Sequence, residues 1–275
     1  MEIASIMPVL EPSQAVRPAQ SRGGIDPVVS ERIAMIRFPL IIGVVLAHSL
    51  WGMDAKLGVA VPPSLEVLGT LFFDILPRGA VPAFTAIAGF LYFQNFDGSC
   101  SAYVRKNQVR IQTLLLPYVL WNVLVFVVFI FRCRYFGVGG GFSGSRVDLS
   151  AGGWHLVDAV LGWHSIPMTG QFWFVRNLIF LCALSPLIYV FMCRRSVGFV
   201  FCCINTALWL LGISGGQGHG ILATIAYTTV FFCWGGYIAV HQIEVKALDR
   251  WWKWLFGVWI IISVATWFYF YSVHA

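Results

Sequence analysis

Residues 33–51 read IAMIRFPLIIGVVLAHSLW, an apolar run in which Arg37 and His48 are the only ionisable residues. A helix of 19 residues is about 28 Å long, close to the thickness of the hydrocarbon core of a bilayer. Apolar side chains occur all round this helix, with no polar stripe of the kind that marks a soluble amphipathic helix. The stretch therefore predicts a first transmembrane span.

The composition of the whole chain extends this prediction. Of 275 residues, 59% are hydrophobic and 11% charged, which leaves too little charge to cover a soluble surface of this size. The net charge of +6 is spread along the chain and forms no nucleic-acid-binding face. We predict an all-α, polytopic integral membrane bundle of seven transmembrane helices. The six further apolar runs are residues 65–93, 111–131, 172–192, 197–213, 221–240 and 255–273.

The remaining segments complete the predicted organisation. Residues 1–32 are polar and are expected to form a flexible cytoplasmic tail, with the transmembrane domain occupying residues 33–275. The connection 132–170 is rich in glycine and is expected to hold an interfacial piece around residues 154–163. Seven Cys residues are scattered without CxxC spacing, so we expect neither a metal site nor a disulfide framework.

The positions of the basic residues indicate the orientation. With the amino terminus in the cytoplasm, eleven Lys and Arg lie in inner segments and four in outer ones, the distribution that the positive-inside rule favours. The inner residues are Arg17, Arg22, Arg32, Arg105, Lys106, Arg110, Arg194, Arg195, Lys246, Arg250 and Lys253, and the outer ones are Lys56, Arg132, Arg134 and Arg146.

Arg37 and His48 are the first candidates for chemistry, because ionisable groups at membrane depth are costly unless they serve a purpose. At about 100° per residue their azimuths differ by about 20°, and they lie about 16 Å apart along the helix. Arg37 could hold an anionic group at the inner surface while a neutral His48 imidazole takes a proton from an attacking hydroxyl. The alternative is that Arg37 snorkels to lipid headgroups and His48 bonds to a neighbouring helix.

Three further stretches combine with this Arg-x10-His pair. They are RGAVPAFTAIAGFLYF (78–93), RKNQVRIQTLLLPYVLWN (105–122) and GQFWFVRNLIFLCALSPLIY (170–189). Together the four stretches resemble the membrane-bound acyltransferase 3 family, in the branch that O-acetylates surface polysaccharides. The resemblance covers most of residues 30–192. The family has more spans than the seven counted here, so the resemblance implies a short or truncated member.

The resemblance implies transfer of an acyl group, usually acetyl from acetyl-CoA, to a hydroxyl of a glycan or lipid-linked saccharide. No cofactor would be bound permanently, and the partners would be membrane lipid, acyl-CoA, the glycan acceptor and glycan-assembly proteins. His48 would match the essential histidine of the family and Arg37 its paired arginine. The family's Arg-x-x-Arg is matched only in part, because Thr113 follows Arg110 at that spacing.

Each of the other basic candidates has two possible interpretations. Arg78 either serves the site or pairs with Asp74 one turn away, and Arg176 either contacts coenzyme or acceptor or lies near the outer interface. The cluster Arg105, Lys106 and Arg110 either binds phosphate or anchors the helix at the inner surface.

Two rival functions use the same residues. A polytopic transporter or flippase for a lipid-linked sugar would line its pathway with these charges, and a non-catalytic truncated homologue would leave them unused. For the enzyme, the resemblance implies a bacterial inner membrane with the amino terminus in the cytoplasm.

Overall fold

The computed structural model describes residues 25–49, 69, 76–136, 153–164, 167–212 and 221–274. All regular structure among these residues is helical, so the predicted all-α class is confirmed for the described part of the chain. The helices are α1 Pro27–Ser49, α2 Ala80–Phe93, α3 Cys100–Arg110, α4 Leu116–Phe136, α5 Gly153–Leu161, α6 Trp173–Ala183, α7 Ser185–Met192, α8 Arg195–Leu210, α9 Ile221–Val240 and α10 Trp252–His274.

Helix α1 begins inside the segment predicted to be a flexible tail. Asp26 caps it, since its Oδ1 accepts a hydrogen bond from the backbone N–H of Val28 at 2.9 Å. Pro27 occupies the first helical position, where its missing N–H costs nothing and its fixed φ suits the helix. The cap moves the boundary of the helical domain from residue 33 to residue 27; the predicted tail at residues 1–24 lies outside the described part.

Helices α2 and α9 form the closest contact of the bundle. A Cβ on Gly89 would collide with the Phe232 carbonyl, and one on Gly235 would collide with the Ala86 carbonyl. Four residues beyond Gly89, Phe93 faces Gly236, so the two helices run parallel. Small residues thus bring the two backbones together, as they do in membrane helix pairs.

Helices α3 and α4 form one rod. They join through a π-helical turn, Ile111–Leu115, in which the backbone N–H of Leu116 donates to the Ile111 carbonyl. The wider turn lies just before Pro117, whose ring cannot be placed against an ordinary preceding turn. The rod therefore extends the predicted span 111–131 to residues 100–136.

The predicted span 172–192 is not one straight helix. Helices α6 and α7 meet at an angle of 64°. Pro186 cannot donate a hydrogen bond to the Cys182 carbonyl, and this carbonyl accepts instead from the Ser185 hydroxyl at 2.7 Å. The break is thus built into the sequence by Ser185 and Pro186.

The prediction of seven spans is met only in part. Within the described residues, Cys100–Phe136 and Leu222–Val240 are long and apolar enough to cross a membrane, and the bent pair α6–α7 makes a third if it counts as one span. Each predicted span nevertheless overlaps a described helix. Helix α2 accounts for only the second half of the predicted span 65–93, whose first half lies largely outside the described residues.

The connection between α4 and α6 contains the short helix α5 where an interfacial piece was expected. The preceding glycine-rich stretch, 137–145, lies outside the described residues. Helix α5 packs on α4, with the Tyr118 hydroxyl donating to the Leu161 carbonyl at 2.8 Å. The backbone N–H of Thr169 donates to the Asn122 side chain at 2.9 Å. The connection is therefore fastened to the side of α4.

Candidate functional site

Helix α1 presents both residues of the Arg-x10-His pair, and both side chains are exposed. His48 lies in the last turn, where its Nδ1 is 2.7 Å from the Val44 carbonyl oxygen. Because a carbonyl can only accept, this contact assigns the proton to Nδ1. The neutral ring then has an unprotonated Nε2, the form required of a base or nucleophile.

The neighbours of α1 fix which end of the bundle holds His48. Helix α1 packs along α2 and along the 3₁₀ turn Leu76–Gly79 that precedes it. At its start, Arg32 donates to both carboxylate oxygens of Asp249 at 2.7 and 2.8 Å. Asp249 lies in the 3₁₀ turn Val245–Arg250, which follows the end of α9. Since α9 and α2 are parallel, α1 is antiparallel to both, and His48 lies towards the turn that contains Arg78.

Arg78 is exposed at that turn. The turn that contains Arg78 packs on α1 and leads directly into α2. Asp74, the predicted ion-pair partner, lies outside the described residues. The structure thus brings Arg78 to the same end of the bundle as His48.

Arg105, Lys106 and Arg110 line one cavity at the opposite end of α2. The cavity has a volume of about 400 Å³ and is also lined by Tyr92, Gln94, Asn95 and Val109; we refer to it as the cationic cavity. Lys106 is half-buried, and its ammonium donates to the Gln94 carbonyl at 2.8 Å and lies 5.8 Å from the centre of the Tyr92 ring. Three cations around one cavity suit an anionic group, and the fork-shaped guanidinium groups of Arg are well matched to phosphate.

A buried network of neutral polar groups supports the cationic cavity. The Tyr92 hydroxyl is 2.7 Å from the Ser185 hydroxyl and accepts a hydrogen bond from Asn107 at 2.9 Å. Tyr92 is 1% exposed and Ser185 is fully buried. The sequence prediction does not include these three residues, because it rests on charged groups and their side chains are neutral. Two features of the sequence could have indicated this network: Ser185 directly before Pro186, and Tyr92 within the apolar run 78–93.

Arg176 lies apart from the cationic cavity. It is 3% exposed, and its Nη1 donates to the Gly162 carbonyl at 2.8 Å. Its remaining contacts include Thr224 and Asn177, each at 3.3 Å. Arg176 therefore joins α6 to α9 and to the end of α5.

A carboxylate–imidazole pair joins α5 to the turn that follows it, beside this arginine. The Asp158 carboxylate accepts from the backbone N–H of His164 at 2.7 Å, and its Oδ1 is 3.5 Å from His164 Nδ1. Gly162, between them, has a φ of +64°, which allows the chain to turn back on α5. Asp158 and Gly162 thus shape a turn, and the Gly162 carbonyl of this turn accepts the hydrogen bond from Arg176.

The model of the acyltransferase 3 family, described as an acyltransferase domain, matches residues 31–274. The chain belongs to the acyltransferase 3 family. This assignment confirms the resemblance of the four stretches and, with the apolar helices, identifies an integral membrane protein.

One curated relative in this family adds detail. The chain is 25% identical over 230 residues to the succinoglycan biosynthesis protein ExoH of Rhizobium meliloti (strain 1021). The alignment covers 82% of the chain and 58% of that relative. The chain thus spans little more than half the length of that protein. No solved structure matches the chain.

Proposed function

We propose that this acyltransferase 3 protein is an integral membrane O-acyltransferase. It moves an acyl group, which we take to be acetyl, from acyl-CoA to a hydroxyl of a surface polysaccharide or lipid-linked sugar. Membership of the family and similarity to a succinoglycan biosynthesis protein support this reaction class. The observation that carries it is His48, whose Nδ1 contact with Val44 leaves Nε2 as the basic ring atom.

The proposal includes seven transmembrane helices in a bacterial inner membrane with the amino terminus in the cytoplasm. The parallel arrangement of α2 and α9 supports this topology, because both helices are then expected to run from the outer to the inner side. The cationic cavity follows α2 and falls on the cytoplasmic side, where acyl-CoA is available. His48 and Arg78 fall towards the outer side, where a surface glycan is assembled.

The cationic cavity is proposed to hold the phosphates of acyl-CoA through Arg105, Lys106 and Arg110. The 14 residue steps from Arg78, in the turn before α2, to Tyr92 correspond to about 21 Å along the helix axis. The acyl group therefore has to travel this distance at the end of the long arm of the coenzyme. Arg37 shares one face of α1 with His48, and we propose that it guides the donor towards His48.

In the direct route, Nε2 of His48 takes the proton of the acceptor hydroxyl as its oxygen attacks the thioester carbonyl. The carbon–sulfur bond then breaks, and the coenzyme thiolate recovers the proton from the imidazolium. The products are an O-acyl ester and the free thiol. Arg78, at the same end of the bundle, is proposed to stabilise the oxyanion of the tetrahedral intermediate.

In the second route, His48 carries the acyl group itself. Nε2 attacks the thioester carbonyl, the thiolate leaves, and the acyl-imidazole is then attacked by the acceptor hydroxyl, whose proton passes to the coenzyme thiolate or to water. In this route, as in the direct one, the arm of the coenzyme brings the acyl group to His48. Both routes require an unprotonated Nε2.

Replacing His48 tests the proposal. In cells that make the glycan, His48→Ala is expected to abolish its acetylation while the amount of exported glycan stays unchanged, with both measured by mass spectrometry of the purified polysaccharide. The matched control is His155→Ala, which removes an exposed histidine of α5 and should leave acetylation intact. Normal acetylation in His48→Ala would disprove the role of His48, and loss of export would favour a transporter.

A further inference from the structure

A second cavity adjoins the cationic cavity. Its volume is about 580 Å³, within the range of small-molecule sites. It lies between the start of α1, the turn that follows α2, and residues 238–246 at the end of α9. Gln94 and Asn95 line both cavities, so the two are neighbours across a single turn of chain. A ligand with two different ends could occupy both.

The second cavity has a different chemistry from the first. Three residues with carboxamide side chains line it, Gln94, Asn95 and Gln242, and we therefore call it the carboxamide cavity. Its apolar lining includes Phe90 and Phe96. A flat ring with hydrogen-bonding edges suits such a mixture, because aromatic walls contact its faces while amides pair with its edges.

The backbone at two of the carboxamides is unusual. Asn95 has a φ of 56° and Gln242 a φ of 49°, and among the described residues they are the only non-glycine residues with positive φ. Gln242 ends α9 in a Schellman motif, in which the Ile243 N–H donates to the Ile238 carbonyl and the Gln242 N–H to the Ala239 carbonyl. Glycine is the usual residue at such a position, because it adopts a positive φ without steric cost. The chain nevertheless has a glutamine side chain there.

Electrostatics separates the two cavities. Helix α2 ends between the two cavities, whereas α9 ends at the carboxamide cavity alone, and helix carboxyl ends carry partial negative charge. Its lining also includes Asp26 and Glu244, against one cation, Lys246, which is paired with Asp26 at 2.7 Å. Such a site favours hydrogen-bond donors and disfavours phosphate. An anionic group belongs in the cationic cavity instead.

We infer that the carboxamide cavity binds the adenine base of the acyl donor, whose phosphates lie in the cationic cavity. The exocyclic amino group of adenine is a donor, which matches carboxamide oxygens and the partial negative charge of the helix ends. The inference rests on the proposed function, since it takes the donor to be an acyl-CoA. It assigns recognition of the base to Asn95 and Gln242 and recognition of the phosphates to Arg110 and its neighbours.

The experiment measures binding of adenosine 3′,5′-bisphosphate and inosine 3′,5′-bisphosphate to the full chain in nanodiscs by isothermal titration calorimetry. The inosine base offers an oxygen where adenine offers an amino group. The unaltered protein is expected to bind the adenosine compound about tenfold more tightly, the effect of one mismatched hydrogen-bonding group.

Variants assign this preference to residues. Gln242→Gly and Asn95→Gly remove a carboxamide at positions where glycine suits the backbone, and each is expected to reduce the preference towards equality. Arg110→Ala is expected to weaken both ligands by the same factor and keep the preference. The matched control is Gln171→Ala, an exposed glutamine before α6, which should change neither affinity.

The outcomes separate the two proposals. Equal binding of both nucleotides by the unaltered protein, or a preference that survives in both glycine variants, overturns the base site and leaves the acyl-CoA donor in place. Binding of neither nucleotide overturns the coenzyme donor and the base site with it.

Discussion

At the scale of single residues, burial distinguishes basic side chains that look alike in the sequence. Arg37 and Arg78 are exposed at the surface of the bundle, whereas Arg176 is 3% exposed and bonded to the Gly162 carbonyl. A guanidinium that joins three elements is well suited to fix the turn after α5. We therefore propose that Arg176 is a positioning residue and that the arginines of α3 contact the donor.

Arg176→Lys tests this distinction. Lysine keeps the charge but cannot reproduce the forked donors, so the Gly162 carbonyl and Asn177 lose partners inside the protein. We expect the free energy of unfolding to fall by about 3 kcal/mol, measured by denaturation in detergent, while the KM for acetyl-CoA in the remaining folded protein stays unchanged. The control is Arg134→Lys, an exposed arginine at the end of α4. A raised KM with normal stability would instead place Arg176 at the donor.

At the scale of helices, the bundle depends on contacts that only small residues allow. The α2–α9 contact lies between the end of the bundle with Arg78 and the end with the two cavities. Because Gly89 and Gly235 each face a backbone carbonyl, no side-chain adjustment can accommodate an added methyl group there. The helices would have to separate, and the positions of both ends would change together.

Gly89→Ala and Gly235→Ala are expected to destabilise the folded protein by about 3 kcal/mol or more, at the upper end of overpacking costs. Thermal unfolding in detergent micelles measures the effect. Gly257→Ala is the matched control, because Gly257 also lies within a helix but an added Cβ there would have no neighbour within 4 Å. Similar melting temperatures for all three variants would contradict the close contact of α2 and α9.

At the scale of the whole molecule, two ion pairs join the start of α1 to the turn that follows α9. Arg32 pairs with Asp249, and Lys246 pairs with Asp26, each at 2.7 Å. Their side chains are about half exposed, so each pair alone contributes little. Together they hold the start of α1 over the carboxamide cavity, and α1 carries His48 at its other end.

The ion pair of Lys246 with Asp26 is expected to weaken in acid. The hydrogen bond from Lys246 and the backbone N–H of Val28 hold the pKa of Asp26 below its ordinary value of 3.8. A lowered pKa in the folded state means that the carboxylate stabilises the fold fully above the unfolded pKa. This contribution is lost as the pH falls through the folded pKa.

The melting temperature of Asp26→Asn should therefore lie below that of the unaltered protein by a constant amount above about pH 5, and the difference should close below pH 4. The control is Glu31→Gln, which removes an exposed carboxylate of α1. Its melting temperature should differ less from that of the unaltered protein. A difference that persists unchanged at the lowest pH would contradict the titration of Asp26.

Several features could be predicted because they follow from local sequence. Apolar runs without a polar stripe are sufficient to predict helices in a membrane, since lipid requires every backbone group to bond within its own segment. The spacing of Arg37 and His48 placed both on one helix, and α1 contains both. The motifs also identified the family, because they join residue type to spacing along one chain.

Other features escaped the sequence because they depend on contacts between distant segments. The network of Tyr92, Asn107 and Ser185 joins three helices and contains no charge. The bend between α6 and α7 has a local cause in Pro186, but its angle of 64° cannot be read from the sequence. The left-handed backbone of Gln242 gives no signal, since glutamine rarely adopts it.

The membrane environment of this protein, its helical class and its family follow from the polarity and order of residues along the chain. Which basic residues share a site depends on the tertiary structure. It gathered Arg105, Lys106 and Arg110 around one cavity, placed a carboxamide cavity beside it, and buried Arg176 elsewhere. Helix packing, through contacts such as that of Gly89 with Phe232, sets the distances between residues that are far apart in sequence.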